Sequence, residues 1–173
     1  MSSPIPVPLE LRLPEGWQAA PPELVGVPEA AFVAVHPHPD DGFTANVTVD
    51  SAYRSDTAPL AEIGDESVAN LSEVADSLDV TSRHEIGSAA APGLTQTLAL
   101  TAVVNGVRRE LTQSQVYLSL LDLHAPDRRV VVRLILTATA AQHDEVLEDF
   151  RDIVATMRPD PGAPTLAPRN QPE

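Results

Sequence analysis

The chain has no cysteine and no lysine. Without cysteine there is no disulfide framework and no thiolate metal site. Without lysine, the glycine-containing segment 87–93 cannot be a phosphate loop of the lysine-bearing kind. Basic charge is scarce altogether: 11 arginines stand against 25 acidic residues, for a formal net charge of −14. That balance argues against nucleic acid and against anionic membrane surfaces as partners, since both select a basic patch. No apolar run approaches the length of a membrane span, and the first residues carry neither a basic region nor an apolar signal core. The expectation is a cytoplasmic protein. The abundance of Ala, Val, Pro and Arg fits a GC-rich coding sequence and marks origin rather than mechanism.

What is present is an ordered run of secondary-structure signals between Gly93 and Pro159. Leu94, Gln96, Leu98, Leu100, Ala102 and Val104 alternate with Thr95, Thr97, Ala99, Thr101 and Val103, the period of a strand. Asn105-Gly106 tolerates positive φ at both central positions of a type I′ turn, so the chain is expected to reverse into a second strand from Val107 to about Leu121. Along that strand the apolar set slips phase between Thr112 and Gln115, which predicts a β-bulge. Arg128 to Thr139 is apolar on both faces and belongs in the middle of a layered structure. Thr139 and Gln142 stand as N-cap and N3 of a capping box, followed by Val146, Leu147, Phe150, Ile153, Val154 and Met157 at helical spacing.

Upstream, Val7, Leu9, Leu11 and Leu13 alternate into Pro14-Glu15-Gly16-Trp17, placing the only tryptophan at one end of the core. A short helical turn is expected around Pro22 to Val25. Ala31 to His36 and Phe43 to Val49 form a second hairpin around the turn at His36 to Gly42. Pro59 opens a helix with Leu60, Ile63, Leu71, Val74 and Leu78 on one stripe, which Gly64 weakens. Val80 to Ile86 is a modest edge strand. Residues 1–158 thus make a single α+β domain, one antiparallel sheet with helices packed on its faces, and residues 159–173 a Pro-rich tail that packs nothing.

Chemistry is sparse. His36-Pro37-His38-Pro39-Asp40-Asp41 crowds imidazoles and carboxylates after a strand, and it resembles the Pro-His-Pro-Asp-Asp signature of the PIG-L/LmbE zinc deacetylases. The likeness ends there, because Gly42 opens another strand and His84, His124 and His143 form no His-x-x-His pair. The segment reads as a hairpin turn. Ser88 and Ser114 lie in no Gly-x-Ser-x-Gly elbow. Gln113, Ser114 and Gln115 read as a bulge or a wet sheet face, and Asp144, Glu145, Glu148, Asp149 and Asp152 as a solvated helix face. Asn46-Val47-Thr48 fits a glycosylation sequon without a secretory route to use it. No catalytic residue, metal ligand or cofactor is expected.

Four pieces in order carry a resemblance: Leu13-Pro14-x-Gly16-Trp17, Phe43-x-x-Asn46-Val47-x-Val49, Gly106-Val107-x-Arg109-x-Leu111-x-Gln113-x-Gln115, and Phe150-x-x-Ile153-Val154-x-Thr156-x-x-Pro159. Together they resemble the LpqN-type actinobacterial proteins of the PsbP/Mog-like superfamily. The resemblance spans residues 7–159 and implies an α/β/α sandwich around a central antiparallel sheet. It also implies a non-catalytic binding or assembly protein and carries over no catalytic residues. Many LpqN-type members are lipoproteins with a lipobox cysteine, which this chain lacks.

The expected function is therefore a non-enzymatic protein-interaction or assembly module, docking an unidentified protein or a second copy of itself along the edge near Val80 to Ile86 or on an apolar patch that only two substantial helices leave uncovered. Two other classes stay open. One is a small apolar-ligand carrier with a pocket between sheet and helix near Trp17 or Tyr117. The other is a metal-dependent hydrolase built on the His36 to Asp41 turn.

Overall fold

A computed structural model describes residues 9–10, 12–21, 32–54, 58–87, 92–121, 129–156 and 158–159. The elements in chain order are β1 (Leu9–Glu10), β2 (Gln18–Ala19), β3 (Phe32–Val35), β4 (Asn46–Arg54), α1 (Leu60–Ser72), β5 (Ser77–Gly87), β6 (Pro92–Val104), β7 (Val107–Leu121), β8 (Arg129–Thr139), α2 (His143–Thr156) and β9 (Arg158–Pro159). Seven strands form one antiparallel sheet in the order β2-β3-β4-β8-β7-β6-β5, and β1 pairs with β9. The expected turn at Pro22 to Val25 and the tail from residue 160 onward lie outside the described residues; Pro159, counted with the tail, pairs with Leu9 in the β1-β9 ladder.

The meander β6-β7-β8 forms as its alternation predicts. Asn105 and Gly106 both have positive φ, as a two-residue type I′ hairpin requires. The two-faced strand β8 is fourth of the seven, the central position. Its Val130, Val132, Leu134 and Leu136 join Trp17, Val47, Val49, Phe150 and Ile153 in the main core under α2, and Val131 packs on the opposite face with Leu60 and Ile63 of α1. Helices thus cover both faces of the sheet.

That double cover corrects the expected bulge in β7. Its register against β6 and β8 is continuous throughout. The apolar set changes phase because Leu111 belongs to the core on the α1 side, with Leu98 and Leu100, while Val116 belongs to the core under α2. A strand with a helix on each face satisfies hydrophobic burial on either parity. The irregularity lies instead in β5, between Val80 and Ser82, where Thr81 is the extra residue.

The capping box is also corrected. Thr139 closes β8; its Oγ1 accepts the Gln142 amide at 3.2 Å, while α2 begins at His143. The Gln142 side chain turns away, donating Nε2 to the His38 carbonyl at 2.9 Å. Likewise α1 stops at Ser72, leaving Val74 75% exposed in the following turn and Leu78 in β5.

Gly64 is needed where the sequence reads it as a weakness. It is buried on α1, its carbonyl accepts Gln96 Nε2 at 3.2 Å, and a Cβ there would stand 2.9 Å from Gln96 Oε1 and 3.1 Å from Leu94 Cδ2. Alanine would gain about 1 kcal/mol of helix propensity, but overpacking costs about 1–3 kcal/mol. Gly64→Ala is therefore expected to lower stability in urea denaturation; a stabilised variant would refute the close-approach account.

Candidate functional site

β5 is the last strand of the sheet, eleven residues long, and among the described residues no strand pairs with its outer side. Val80 and Ile86 are 42% and 40% exposed. The bulge at Thr81 interrupts the edge, and the Thr81 hydroxyl donates to the Thr97 carbonyl at 3.1 Å. From Ser82 to Gly87 the strand runs without a break.

Behind this edge sits a buried polar network, of which the sequence pattern marked only Gln115, as part of a bulge or a wet sheet face. Gln96 and Gln115 face each other across β6 and β7, and Gln96 Nε2 donates to Gln115 Oε1 at 2.7 Å. Tyr117 donates its hydroxyl to the same Oε1 at 2.9 Å, and Gln115 Nε2 donates to Ser67 Oγ of α1 at 3.3 Å. On the β5 side, Arg83 turns inward, giving Nε and Nη2 to Gln96 Oε1 at 2.9 and 2.7 Å, while its Nη1 meets Asp65 of α1 at 2.8 Å. A satisfied network in a low-dielectric interior fixes one arrangement of its members, so edge strand, sheet and helix are locked in register.

The network ends in a small cleft of about 190 Å³ beside Tyr117 and Arg133. Burial raises the Tyr117 phenol above the ordinary tyrosine value, and Ser67 and Arg133 offset only part of that. Burial opposes the Arg133 charge, but Asp50 accepts from it at 2.7 and 3.2 Å and holds it above the ordinary arginine value.

The turn singled out for metal chemistry is built as a scaffold. Asp40 and Phe43 exchange both backbone hydrogen bonds around Asp41-Gly42, whose φ values are +52° and +81°, a second type I′ turn. The Asp40 carboxylate accepts from Thr139 Oγ1 at 2.5 Å, and Arg109 Nη1 donates to the Asp41 carbonyl at 2.6 Å. The His36 ring accepts the His38 amide at 3.1 Å and stands edge-on to Trp17, which is buried as expected and donates Nε1 to Asp149 at 2.9 Å. No three His, Asp or Glu side chains converge on a cation position among the described residues. His38 is exposed, so His38→Ala is expected to move stability by less than about 0.5 kcal/mol. A larger fall in melting temperature would show that the ring has a buried role.

Sequence reading missed one pairing. Ser114 Oγ and His143 Nε2 lie 2.8 Å apart, and His143 Nδ1 is 3.5 Å from Asp144. The order resembles a nucleophile, base and acid, but Ser114 and His143 are buried and Asp144 is fully exposed. A triad needs the reverse: a reachable hydroxyl and an acid held out of water. The bond pins the first turn of α2 to β7.

Neither a family model nor a curated protein matches the chain by sequence. Solved structures do match in shape. LpqN, involved in cell envelope biogenesis of Mycobacterium tuberculosis, is 12% identical, with a TM-score of 0.61 over 86% of this chain and 81% of that one. The cyanobacterial PsbP of Synechocystis is 13% identical, with a TM-score of 0.58 over 88% and 86%. The Ran-binding protein Mog1p of Saccharomyces cerevisiae is 16% identical, with a TM-score of 0.57 over 87% and 89%. The fold is PsbP/Mog-like. At these identities the likeness is one of architecture: an antiparallel sheet between helices, as the four sequence pieces imply.

Proposed function

We propose that this chain is a non-enzymatic protein-interaction or assembly module of the LpqN type, and that a partner protein adds an extended strand to β5. The observation that carries the reading is the outer side of β5, with the uninterrupted segment Ser82 to Gly87 held rigid from behind by Arg83 and Gln96. Main-chain hydrogen bonds to such an edge supply affinity, and alternate side chains supply selectivity. The shared fold with a Ran-binding protein supports the class, and the four sequence pieces support the LpqN type. The turn at Asp40 and Asp41 supports it from the other side, because both residues are engaged in building the turn and its contacts.

Val80→Lys combined with Ile86→Lys is the test, since edge lysines oppose strand addition and both positions are exposed. A protein that co-purifies stoichiometrically with the wild type should be lost with the variant while the melting temperature holds. Sedimentation equilibrium tells whether that partner is a second copy. Retention of the partner by the variant overturns the edge assignment. Reproducible esterase, phosphatase or deacetylase turnover, abolished by Asp40→Asn or Asp41→Asn, overturns the non-enzymatic reading.

A further inference from the structure

α2 packs on β8 and β7, whereas α1 packs on β6, β5 and β7 from the opposite side. On the α2 face the outer strands β5 and β6 therefore have no helix above them among the described residues. The flank of α2 and these bare strands enclose a groove of about 380 Å³. That volume lies in the range of small-molecule sites. One wall is apolar, with Leu147 and Val154 half-buried and Phe150 behind them, and Ile86 stands on the far rim.

Its charge sets the groove apart from the rest of the molecule. The chain carries 25 acidic residues, yet among the described residues no carboxylate lines this groove; the titratable side chains there are Arg151 and His84. Arg54, Arg83, Arg108, Arg109 and Arg133 each face a carboxylate. Arg151 is exposed and forms no ion pair among the described residues, although Glu148 and Asp152 are on the same helix. On the groove floor, Thr95 and Thr97 supply hydroxyls for hydrogen bonding.

We propose that this groove binds a single-chain amphiphile with an anionic head group, its head at Arg151 and His84 and its alkyl chain along Leu147, Val154 and Ile86. An unpaired guanidinium recognises a carboxylate or phosphate head through charge-assisted hydrogen bonds. The apolar wall removes the chain from water. A net charge of −14 repels an anionic bilayer, so the ligand is a monomer taken from solution rather than a membrane surface.

Isothermal titration of the full chain with octanoate, decanoate and dodecanoate tests this. One saturable site is expected, with affinity rising about fourfold per added CH₂. Arg151→Glu, at an exposed position, should weaken dodecanoate binding by about tenfold or more. Ala155→Trp should block the groove, dodecyltrimethylammonium should not compete, and phosphatidylglycerol vesicles should not bind. Equal binding of the cationic surfactant, an unchanged affinity in Arg151→Glu, or no saturable site would overturn the proposal. So would a dimer that Arg151→Glu dissociates and that leaves dodecanoate unbound, for then a second copy fills the groove. None of these outcomes depends on the β5 edge accepting a strand.

Discussion

Phe150→Ala is expected to lower stability by about 3–5 kcal/mol, the cost of removing a large aromatic side chain from a packed core. Phe150 is 2% exposed and belongs to the core cluster with Trp17, Val47, Val49, Val116, Leu134 and Ile153. With Val146 and Ile153 it seats α2 on the sheet. Its loss leaves a cavity that a seven-stranded sheet cannot collapse around, because the strands below are fixed by their ladders. For a chain of this length each kcal/mol moves the midpoint by about 2–4 °C, so a drop of roughly 6–20 °C should appear in a thermal melt. Glu148→Ala, on the solvent side of the same helix, is the control and should stay within about 0.5 kcal/mol of the parent. Equal melting temperatures for the two variants would mean that α2 does not contribute to the core.

Gln115→Leu is expected to cost about 2–4 kcal/mol, from the desolvation of buried donors that lose their acceptor. Gln115 Oε1 receives both Gln96 Nε2 and the Tyr117 hydroxyl, and all three residues are buried. Leucine fills similar space, so the loss reports polarity rather than volume. The diagnostic measurement is a double-mutant cycle with Tyr117→Phe. Removing donor and acceptor together leaves no orphaned hydroxyl, so the double variant should be less damaged than the sum of the singles by about 0.5–3 kcal/mol. Urea denaturation with unchanged m-values reads the energies directly. Strict additivity would show that the hydroxyl finds water or another partner, and that the network does not act as a unit.

The mispredictions share a cause. The phase slip in β7 looked like a bulge because local alternation assumes one buried face, and only the position of α1 and α2 on opposite sides shows that both faces are buried. Gly64 looked like a helix weakness because the residue that crowds it, Gln96, lies 32 positions away. Gln115 looked like a wet-face residue because its partners Gln96 and Ser67 lie 19 and 48 positions away. Ser114 gave no signal of His143, 29 positions on, for the same reason. The Asn105-Gly106 turn, by contrast, was legible, because such a pair between two alternating runs carries its own positive-φ signature, and the turn at His36 to Gly42 was legible in outline.

By itself the sequence determined the long strands, the two helices and their order. Period-two alternation, the Asn105-Gly106 reversal, the two-faced β8 and the helical stripe through Val146, Phe150 and Ile153 are properties of neighbouring residues, and the backbone obeys them locally. It also placed an edge strand near Val80 to Ile86, a polar, weakly apolar run of the kind a sheet edge tolerates, within the longer β5. Tertiary structure alone decided which polar side chains are buried and which apolar ones are bare. The glutamine network, the strand-to-helix bond at Ser114 and the placing of Arg151, without an ion pair among the described residues, beside β5 and β6 each depend on register and layer packing between distant segments. Partners are chosen in three dimensions, where burial turns an unmet hydrogen bond or an unpaired charge into an energetic cost, and no local pattern in the chain encodes that.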